Sequence, residues 1–455
     1  MSLREQKRLA ELDHQYVWHP FTQMKGWFEE EPLIVARGQG DWLYDVLGRA
    51  YLDGVSSLWV TVHGHNRPEI NRAIREQAEE ISHSTLLGLA SPPSIELAAR
   101  LARITPPGLV KTFYSDSGAT AVEIALKIVF QYWRQAGRPE RKLFAGLNLA
   151  YHGDTLGAVS VGGMELFHGV YRPLLFETIR LPAPYCYRCE LKREPETCGL
   201  ACAAAAEEIL DREGATLAGL IIEPLVQGAA GMIVHPAGYL ARVAAACRRN
   251  GVLLIADEVA VGFGRTGRMF ACEWEDVAPD VLCLGKGLTG GYLPLAATLT
   301  TKAVFDGFLG EYDEFRTFFH GHTFTGNPVA CAAALASLDL FDRDRTLANL
   351  PPKIELLAQS LSRLAGRPHV GQVRQRGMMA GIELVEDRAT RAPYAPGRRL
   401  GHRVILEARR HGVILRPLGD VIVIMPPLSI SMENLTRLLE VTEKAILTVT
   451  EGAGE

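Results

Sequence analysis

Short apolar runs alternate with longer helix-like stretches between about residues 90 and 330, a pattern typical of βαβ units around a parallel sheet. Residues 219–222, 252–256 and 281–284 are almost continuously apolar, as expected for strands covered on both faces. Residues 121–136 repeat apolar side chains at helical spacing after a strand-like segment at 111–114. The sequence therefore predicts an α/β fold with a mainly parallel sheet.

Beyond residue 335 the pattern changes to that of a smaller α+β domain, expected over residues 336–455. Residues 1–60 mix aromatic and turn residues after one short charged helix, so we predict an arm that also contributes to the small domain. The large domain is then expected over residues 61–335. The predicted small-domain elements are helices at 353–364 and 432–447 and strands at 377–385, 413–416 and 421–425.

The composition is that of a globular protein, with 47% hydrophobic and 22% charged residues. Lys and Arg (48) nearly balance Asp and Glu (52), so no global positive field favours nucleic acid or an acidic membrane. No apolar run approaches the ~20 residues that span a bilayer, and the N-terminus lacks the apolar centre of a signal peptide. We therefore expect a cytoplasmic protein without a nucleic-acid or membrane partner.

Two charged residues follow predicted strands: Asp257 comes directly after 252–256, and Lys286 follows 281–284 after one glycine. Open parallel sheets bind ligands at the carboxyl ends of their strands. A desolvated lysine there can form a Schiff base, and a carboxylate can keep a pyridine nitrogen protonated. The alternatives are a lysine whose stem is merely buried, and a structural salt bridge of Asp257 with Arg265 or Lys286.

Two turns carry residues suited to ligands, one to a phosphate and the other to an aromatic ring. Residues 117–120, Ser-Gly-Ala-Thr, begin the predicted helix, where free N–H groups and the helix dipole favour a phosphate. An ordinary Ser or Thr N-cap has the same sequence. Residues 151–155, Tyr-His-Gly-Asp-Thr, can bind or stack on a ring, although a plain Asx turn also explains them.

Eight cysteines are too few for a disulfide scaffold in a chain of 455 residues, so most are expected to be free thiols. Four of them have a C-x2-C, C-x3-C arrangement that is compatible with zinc. Their eight-residue gap is shorter than the usual zinc spacings, so we predict free or oxidised thiols and no metal. These four are Cys186, Cys189, Cys198 and Cys202.

Asp257-Glu258-Val259, the glycine-rich residues 262–267 and Lys286 between two glycines together resemble the signature of the class III aminotransferases. The resemblance extends over nearly the whole chain. It implies a fold-type I, pyridoxal 5'-phosphate-dependent transaminase with a large and a small domain. By matching position it also implies the residues that hold the cofactor: Lys286 as the Schiff-base lysine, Asp257 at the pyridine nitrogen, Tyr151 on the ring, and Gly118 and Ala119 at the phosphate.

Further motifs resemble the branch of this family that transfers an amino group to 8-amino-7-oxononanoate in biotin biosynthesis. The resemblance implies a homodimer in which His322 and Thr323 reach the cofactor phosphate of the neighbouring subunit. It also implies that Gly321 and Arg416 contact substrate, with Arg416 pairing with a carboxylate. The motifs lie at residues 18–22, 116–118, 151–155, 320–323 and 416–419.

Two positions bear on the amino donor. Members of this branch that use S-adenosylmethionine typically have a tyrosine where this chain has Phe21, and two tryptophans where it has Leu58 and Trp59. Lysine-using members look more like this sequence, so we expect lysine to serve at least as well as S-adenosylmethionine. One alternative is a class III transaminase acting on an ω-amine such as ornithine or on a β-amino acid. From a different class, the alternative is a cofactor-free nucleotide-binding module.

Overall fold

The computed structural model describes residues 2–452. The strands are β1 (Val35–Gln39), β2 (Trp42–Asp45), β3 (Ala50–Asp53), β4 (Leu109–Ser115), β5 (Leu143–Leu147), β6 (Thr178–Leu181), β7 (Leu217–Ile222), β8 (Val226–Gln227), β9 (Ile233–Val234), β10 (Leu253–Asp257), β11 (Val281–Leu284), β12 (Ala296–Thr301), β13 (Val370–Arg376), β14 (Met379–Leu384), β15 (Val413–Ile414), β16 (Arg416–Leu418) and β17 (Val421–Ile424).

The α-helices are α1 (Leu3–Tyr16), α2 (Met24–Trp27), α3 (Ser56–Trp59), α4 (Pro68–Glu80), α5 (Pro92–Ile104), α6 (Gly118–Gln135), α7 (Leu156–Val161), α8 (Glu165–His168), α9 (Ala201–Glu213), α10 (Tyr239–Arg249), α11 (Lys302–Asp306), α12 (Pro328–Arg343), α13 (Pro351–Leu364), α14 (Leu400–Arg410) and α15 (Met432–Glu451). Helix α3 is interrupted by non-helical backbone at Ser57 and Leu58.

The central feature is a seven-stranded sheet in the order β4-β12-β11-β10-β7-β5-β6. It is parallel except for β12, which runs antiparallel to both of its neighbours. All six residues of β7 are buried, as expected for a strand covered on both faces, and α6 packs its apolar side against this sheet. The predicted α/β fold with a mainly parallel sheet is confirmed.

The predicted strand over 413–416 was wrong in one respect, because the segment contributes to two different sheets. β15 pairs with β3, whereas β16 pairs with β17, and the buried Leu415 lies between them. An apolar run shows that a segment is extended and buried, but the partner strands depend on contacts far away in the chain.

Two four-stranded sheets lie outside the central sheet, in the orders β1-β2-β3-β15 and β13-β14-β17-β16. The first joins residues near the N-terminus to residues beyond 410, so the two ends of the chain meet in one sheet. The domain boundaries near residues 60 and 335 stay predictions. Within residues 2–452, no helix is both long and apolar enough to span a bilayer.

Candidate active site

The carboxyl ends of β10 and β11 meet at one edge of the central sheet, where the two strands run parallel and Asp257 lies opposite Cys283. A cavity of about 390 Å³ opens at this edge. Residues far apart in the sequence line this cavity, as expected for a ligand site at the carboxyl ends of parallel strands. Six of the predicted site residues are among them: Trp59, Gly118, Ala119, Tyr151, Asp257 and Lys286.

The Asp257 carboxylate is buried and is oriented by two hydrogen bonds. Its Oδ2 lies 2.7 Å from His152 Nδ1, and its Oδ1 accepts the backbone N–H of Val259 at 3.1 Å. Arg265, the alternative partner, instead donates to the carbonyl oxygens of Thr61 and Pro426. Asp257 is therefore held by an imidazole rather than by a structural arginine or lysine salt bridge.

Lys286 lies in the same cavity, and no carboxylate of residues 2–452 lies within ion-pair distance of its amine. Burial lowers the pKa of Lys286, while the negative charges of Asp257 and Glu223 act in the opposite direction. Its Nζ lies 5.1 Å from the centroid of the Trp59 ring. Such a cation–π contact favours one position of the amine.

Glu223 is a cavity residue that the sequence reasoning missed. It follows β7, and its two carboxyl oxygens accept the backbone N–H groups of Tyr151 at 3.1 Å and Gly228 at 2.9 Å. Burial raises the pKa of Glu223 to about 7. Its position just after the apolar residues 219–222 was the available signal, identical in kind to that of Asp257.

Tyr151 is half-buried, and its hydroxyl donates to Asp154 Oδ2 at 2.6 Å. Burial, followed by this hydrogen bond, raises the pKa of Tyr151, so the phenol stays neutral. The ring stacks on His168 with centroids 6.0 Å apart. Both contacts fix the orientation of an aromatic face at the cavity.

The N-terminus of α6 lines the cavity, and it also has the ordinary Ser N-cap that the sequence allowed as an alternative. Ser117 caps the helix by accepting the backbone N–H of Thr120, whereas Gly118 and Ala119, whose N–H groups have no partner within a helix, line the cavity. A Cβ on Gly118 would lie 2.5 Å from Val259 Cγ1, and Gly153, at φ +119, contacts Ala119 too closely for any side chain. Backbone therefore approaches the cavity where a phosphate can accept its N–H groups.

Pyridoxal phosphate suits the polar groups of this cavity. Among the residues that line the cavity, three buried polar atoms lack a partner within the described chain: Trp59 Nε1, His152 Nε2 and Thr155 Oγ1. Buried polar groups are normally hydrogen-bonded, so unpaired ones beside a cavity indicate a bound group. Asp257 can accept from a ring nitrogen, Lys286 can react with an aldehyde, and the helix N-terminus can hold a phosphate.

The other predicted site residues do not line the cavity. Phe21 and Leu58 are 60% and 46% exposed, and the Phe21 ring meets Phe167 edge-on. Arg416 begins β16, is half-buried, and has an unpartnered Nε. Gly321, His322 and Thr323 lie on the loop before α12. Gly321 and Thr323 are exposed, and His322 Nδ1 lies 2.8 Å from Asp116 Oδ2.

The four-cysteine segment carries half-buried free thiols. Burial raises the pKa of the Cys202 thiol to about 11 and also raises that of Cys186, so both are protonated at neutral pH. Over residues 2–452, no three His, Cys, Asp or Glu side chains are arranged to hold a metal ion.

We expect His152→Ala to fold but to turn over more slowly, because Asp257 loses the hydrogen bond that orients it. A hydrogen bond to a charged group contributes about 1.5 to 3 kcal/mol, which corresponds to a roughly 10- to 150-fold lower kcat. His152→Asn, whose amide can donate to the same oxygen, is expected to lose less. Steady-state kinetics measure both effects, and equal kcat in His152→Ala and the wild type would contradict this role.

Comparison with known proteins agrees with this geometry. The sequence profile of the family described as "Aminotransferase class-III" matches residues 26–446. A relative from Nitratidesulfovibrio vulgaris is 60% identical over 446 residues, which is 98% of this chain and 82% of the relative. Its name is adenosylmethionine-8-amino-7-oxononanoate aminotransferase.

Two solved structures are also similar. A crystal structure of adenosylmethionine-8-amino-7-oxononanoate aminotransferase from Methanocaldococcus jannaschii is 47% identical, with a TM-score of 0.93 over 97% of this chain and 98% of that one. An (S)-enantioselective ω-transaminase from Thermomicrobium roseum is 39% identical, with a TM-score of 0.92 over the same shares. The fold is thus shared by enzymes with different amine substrates.

Proposed function

The chain belongs to the class III aminotransferase family, and we propose that it transfers an amino group to 8-amino-7-oxononanoate, giving 7,8-diaminononanoate in the biosynthesis of biotin. The names of relatives at 60% and 47% identity support this acceptor. The observation that carries the proposal is the cavity in which Lys286, Asp257 and Tyr151 come together. We place the reaction in the cytoplasm.

Pyridoxal 5'-phosphate is the cofactor of this aminotransferase, and when bound it supplies an electron sink for the charge left as a proton departs from carbon. In our proposal the Asp257 carboxylate, held by His152, binds the ring nitrogen and keeps it protonated. Tyr151, Gly118 and Ala119 line the same cavity, so Tyr151 would lie against the ring and the N–H groups of Gly118 and Ala119 would bind the phosphate.

Lys286 performs the proton transfer in this proposal. Its amine would hold the cofactor and, once the amino donor is bound, would be free to exchange a proton with it. Because burial lowers the pKa of Lys286, Nζ can accept a proton from the donor carbon as a general base. It can then donate this proton again as a general acid. The Trp59 ring keeps Nζ in place during both steps.

Arg416 is proposed to bind the acceptor carboxylate. Burial lowers the pKa of Arg416, yet an arginine stays charged, and a buried charge requires a partner. Its Nε has no partner within the described residues, and Tyr151 is close enough to interact with it electrostatically. A guanidinium in this state suits a carboxylate held through two hydrogen bonds.

We further propose a homodimer in which His322 and Thr323 complete the partner's site, with Gly321 next to them as a substrate contact. Large apolar side chains around this loop are uncovered, with Phe319 73% exposed and Leu87 89% exposed. A patch of this kind is typical of a protein interface. Sedimentation analysis is expected to give twice the mass of the chain, and a monomer with full activity would contradict the proposal.

The amino donor is the finer part of the proposal, and we expect lysine to serve at least as well as S-adenosylmethionine. A sulfonium over an aromatic ring gains about 0.5 to 2 kcal/mol, and Leu58 supplies no ring while Phe21 lacks a hydroxyl. Both side chains are exposed, so a donor can reach them. Lysine requires neither feature.

Mass analysis of the diamine formed from 8-amino-7-oxononanoate with each donor, at matched concentrations, tests acceptor and donor together. The double variant Phe21→Tyr, Leu58→Trp is expected to shift the ratio toward S-adenosylmethionine by about 2- to 30-fold. Activity of the unmodified chain with S-adenosylmethionine and none with lysine would contradict the donor assignment. Turnover with simple ω-amines and none with the oxononanoate would favour the ω-transaminase alternative.

A further inference from the structure

The segment between β3 and the cavity has unusual backbone geometry. Ser56, Ser57 and Trp59 all have positive φ, at 51°, 59° and 64°. Residues other than glycine rarely adopt such angles, each of which costs of the order of 1 to 3 kcal/mol. Three within four residues persist only where the surrounding structure holds them.

A buried carboxylate at the end of β3 holds this segment. Asp53 Oδ1 accepts the backbone N–H of Val55 at 3.1 Å, and Oδ2 accepts that of Ser57 at 2.8 Å. The same Oδ2 lies 2.9 Å from His65 Nε2. The Asp53 side chain is fully buried and that of His65 is 14% exposed, so this pair is shielded from water. Asp53 thus joins His65 to the strained backbone.

The opposite side of the segment is fixed by strands from the end of the chain. Ser56 Oγ donates to the carbonyl oxygen of Met425 at 2.7 Å, and the Met425 N–H donates to the Gly54 carbonyl at 2.9 Å. The Gly54 N–H in turn donates to Ile414 at 2.9 Å. The segment therefore has little freedom to relax while Asp53 and His65 remain paired.

The held segment presents Trp59 to the cavity. Its ring is 6% exposed and lies 5.1 Å from Lys286 Nζ. It also packs near Gly228, whose N–H donates to Glu223. Leu58, next to it, is 46% exposed and stands in the predicted donor pocket. A shift of this backbone would move a wall of the cavity and the contact of the reactive amine together.

We propose that Asp53 and His65 are positioning residues of the aminotransferase, which hold the strained 54–60 segment so that Trp59 stays against Lys286. The inference rests on the proposed function for Lys286 and extends it to two residues that do not line the cavity. Their effect passes through the backbone of Ser57 to the indole.

His65→Ala tests the proposal, with His65→Gln as the conservative variant whose amide can still donate to Asp53. His402→Ala is the matched control, because His402 pairs with Glu30 at the same 2.9 Å elsewhere in the chain. The cofactor-free proteins are labelled with 5-fluorotryptophan, and the Trp59 signal is assigned by its absence from Trp59→Phe. We expect this signal to shift or broaden in His65→Ala, and to remain in the other two variants.

The kinetic readout is kcat per bound cofactor, which a merely destabilised enzyme would retain. A misplacement of about 1 Å can cost ~100-fold, so we expect His65→Ala to lose about 10- to 100-fold, and His65→Gln to recover most of this. An unchanged Trp59 signal together with kcat within twofold of wild type would overturn the proposal.

If His65→Ala does not fold, Asp53→Asn provides the same test, because its amide cannot accept at both positions. We expect the same altered Trp59 signal and lower kcat in Asp53→Asn, and wild-type values of both would overturn the proposal. Failure of the proposed function can be distinguished from failure of this positioning proposal, because the wild type would then be inactive with 8-amino-7-oxononanoate. The fluorine comparison uses the cofactor-free chain and keeps its meaning in that case.

Discussion

Lys286→Ala is expected to abolish transamination while the protein still binds pyridoxal phosphate. The variant loses both the covalent attachment and the proton transfer at Nζ, and general acid–base catalysis alone contributes about 100- to 10,000-fold. Binding persists because Asp257 and the N-terminus of α6 remain in the cavity. Turnover is measured by mass analysis of the diamine, and binding by the yellow colour retained after gel filtration.

Borohydride reduction of the loaded wild type, followed by peptide mapping, is expected to place the pyridoxyl group on Lys286. Lys302 serves as the control, because its side chain is 74% exposed and pairs with Asp306. Lys302 does not line the cavity, so it is not placed to react with a bound cofactor. A label on Lys302, or full activity of Lys286→Ala, would remove Lys286 from the mechanism.

Asp257→Asn is expected to have the second-largest effect. The amide retains the shape of the carboxylate but cannot keep the pyridine nitrogen protonated, so the ring withdraws electrons less well. Removing one partner of a buried charge pair costs about 3 to 5 kcal/mol, which corresponds to a roughly 150- to 5,000-fold lower kcat. Thermal unfolding of the cofactor-free variant is expected to resemble that of the wild type.

A cofactor analogue separates this electronic role from a structural one. N-Methylpyridoxal phosphate carries a permanent positive charge on its ring nitrogen, so it does not need a carboxylate to stay charged. With the analogue, the difference in kcat between Asp257→Asn and the wild type is expected to shrink at least about tenfold. An equal deficit with both cofactors would show that Asp257 acts through the local structure instead.

The cofactor side of the site was predictable because it follows from local sequence. Asp257 is the last residue of β10 and Lys286 follows β11 after one glycine, both strands have clear apolar runs, and parallel strands bring such ends together. Residues 117–120 predicted a helix start in the same way, and α6 begins there. Each of these signals lies within a few residues of the side chain that it identifies.

The partners of these residues could not be found in the same way. His152 is 105 residues from Asp257 along the chain, and nothing local to either one indicates their 2.7 Å contact. The position of the Trp59 ring beside Lys286 depends likewise on backbone with positive φ at residues other than glycine. Such backbone cannot be predicted from the residue types. Contacts of this range arise from packing of the whole fold, which a single sequence specifies only implicitly.

The residues proposed to act on the cofactor are less exposed than the residues proposed to contact the amino donor, and this difference bears on how substrate range can change. Asp257 is buried and Lys286 lies deep in the cavity, whereas Phe21 and Leu58 are largely exposed and lie on separate segments. Substitutions at exposed positions usually alter stability by less than about 0.5 kcal/mol. Phe21 and Leu58 are therefore suitable positions for saturation libraries in directed evolution. Substitutions there can widen the range of accepted amines, while Asp257 and Lys286, which act on the cofactor, stay the same.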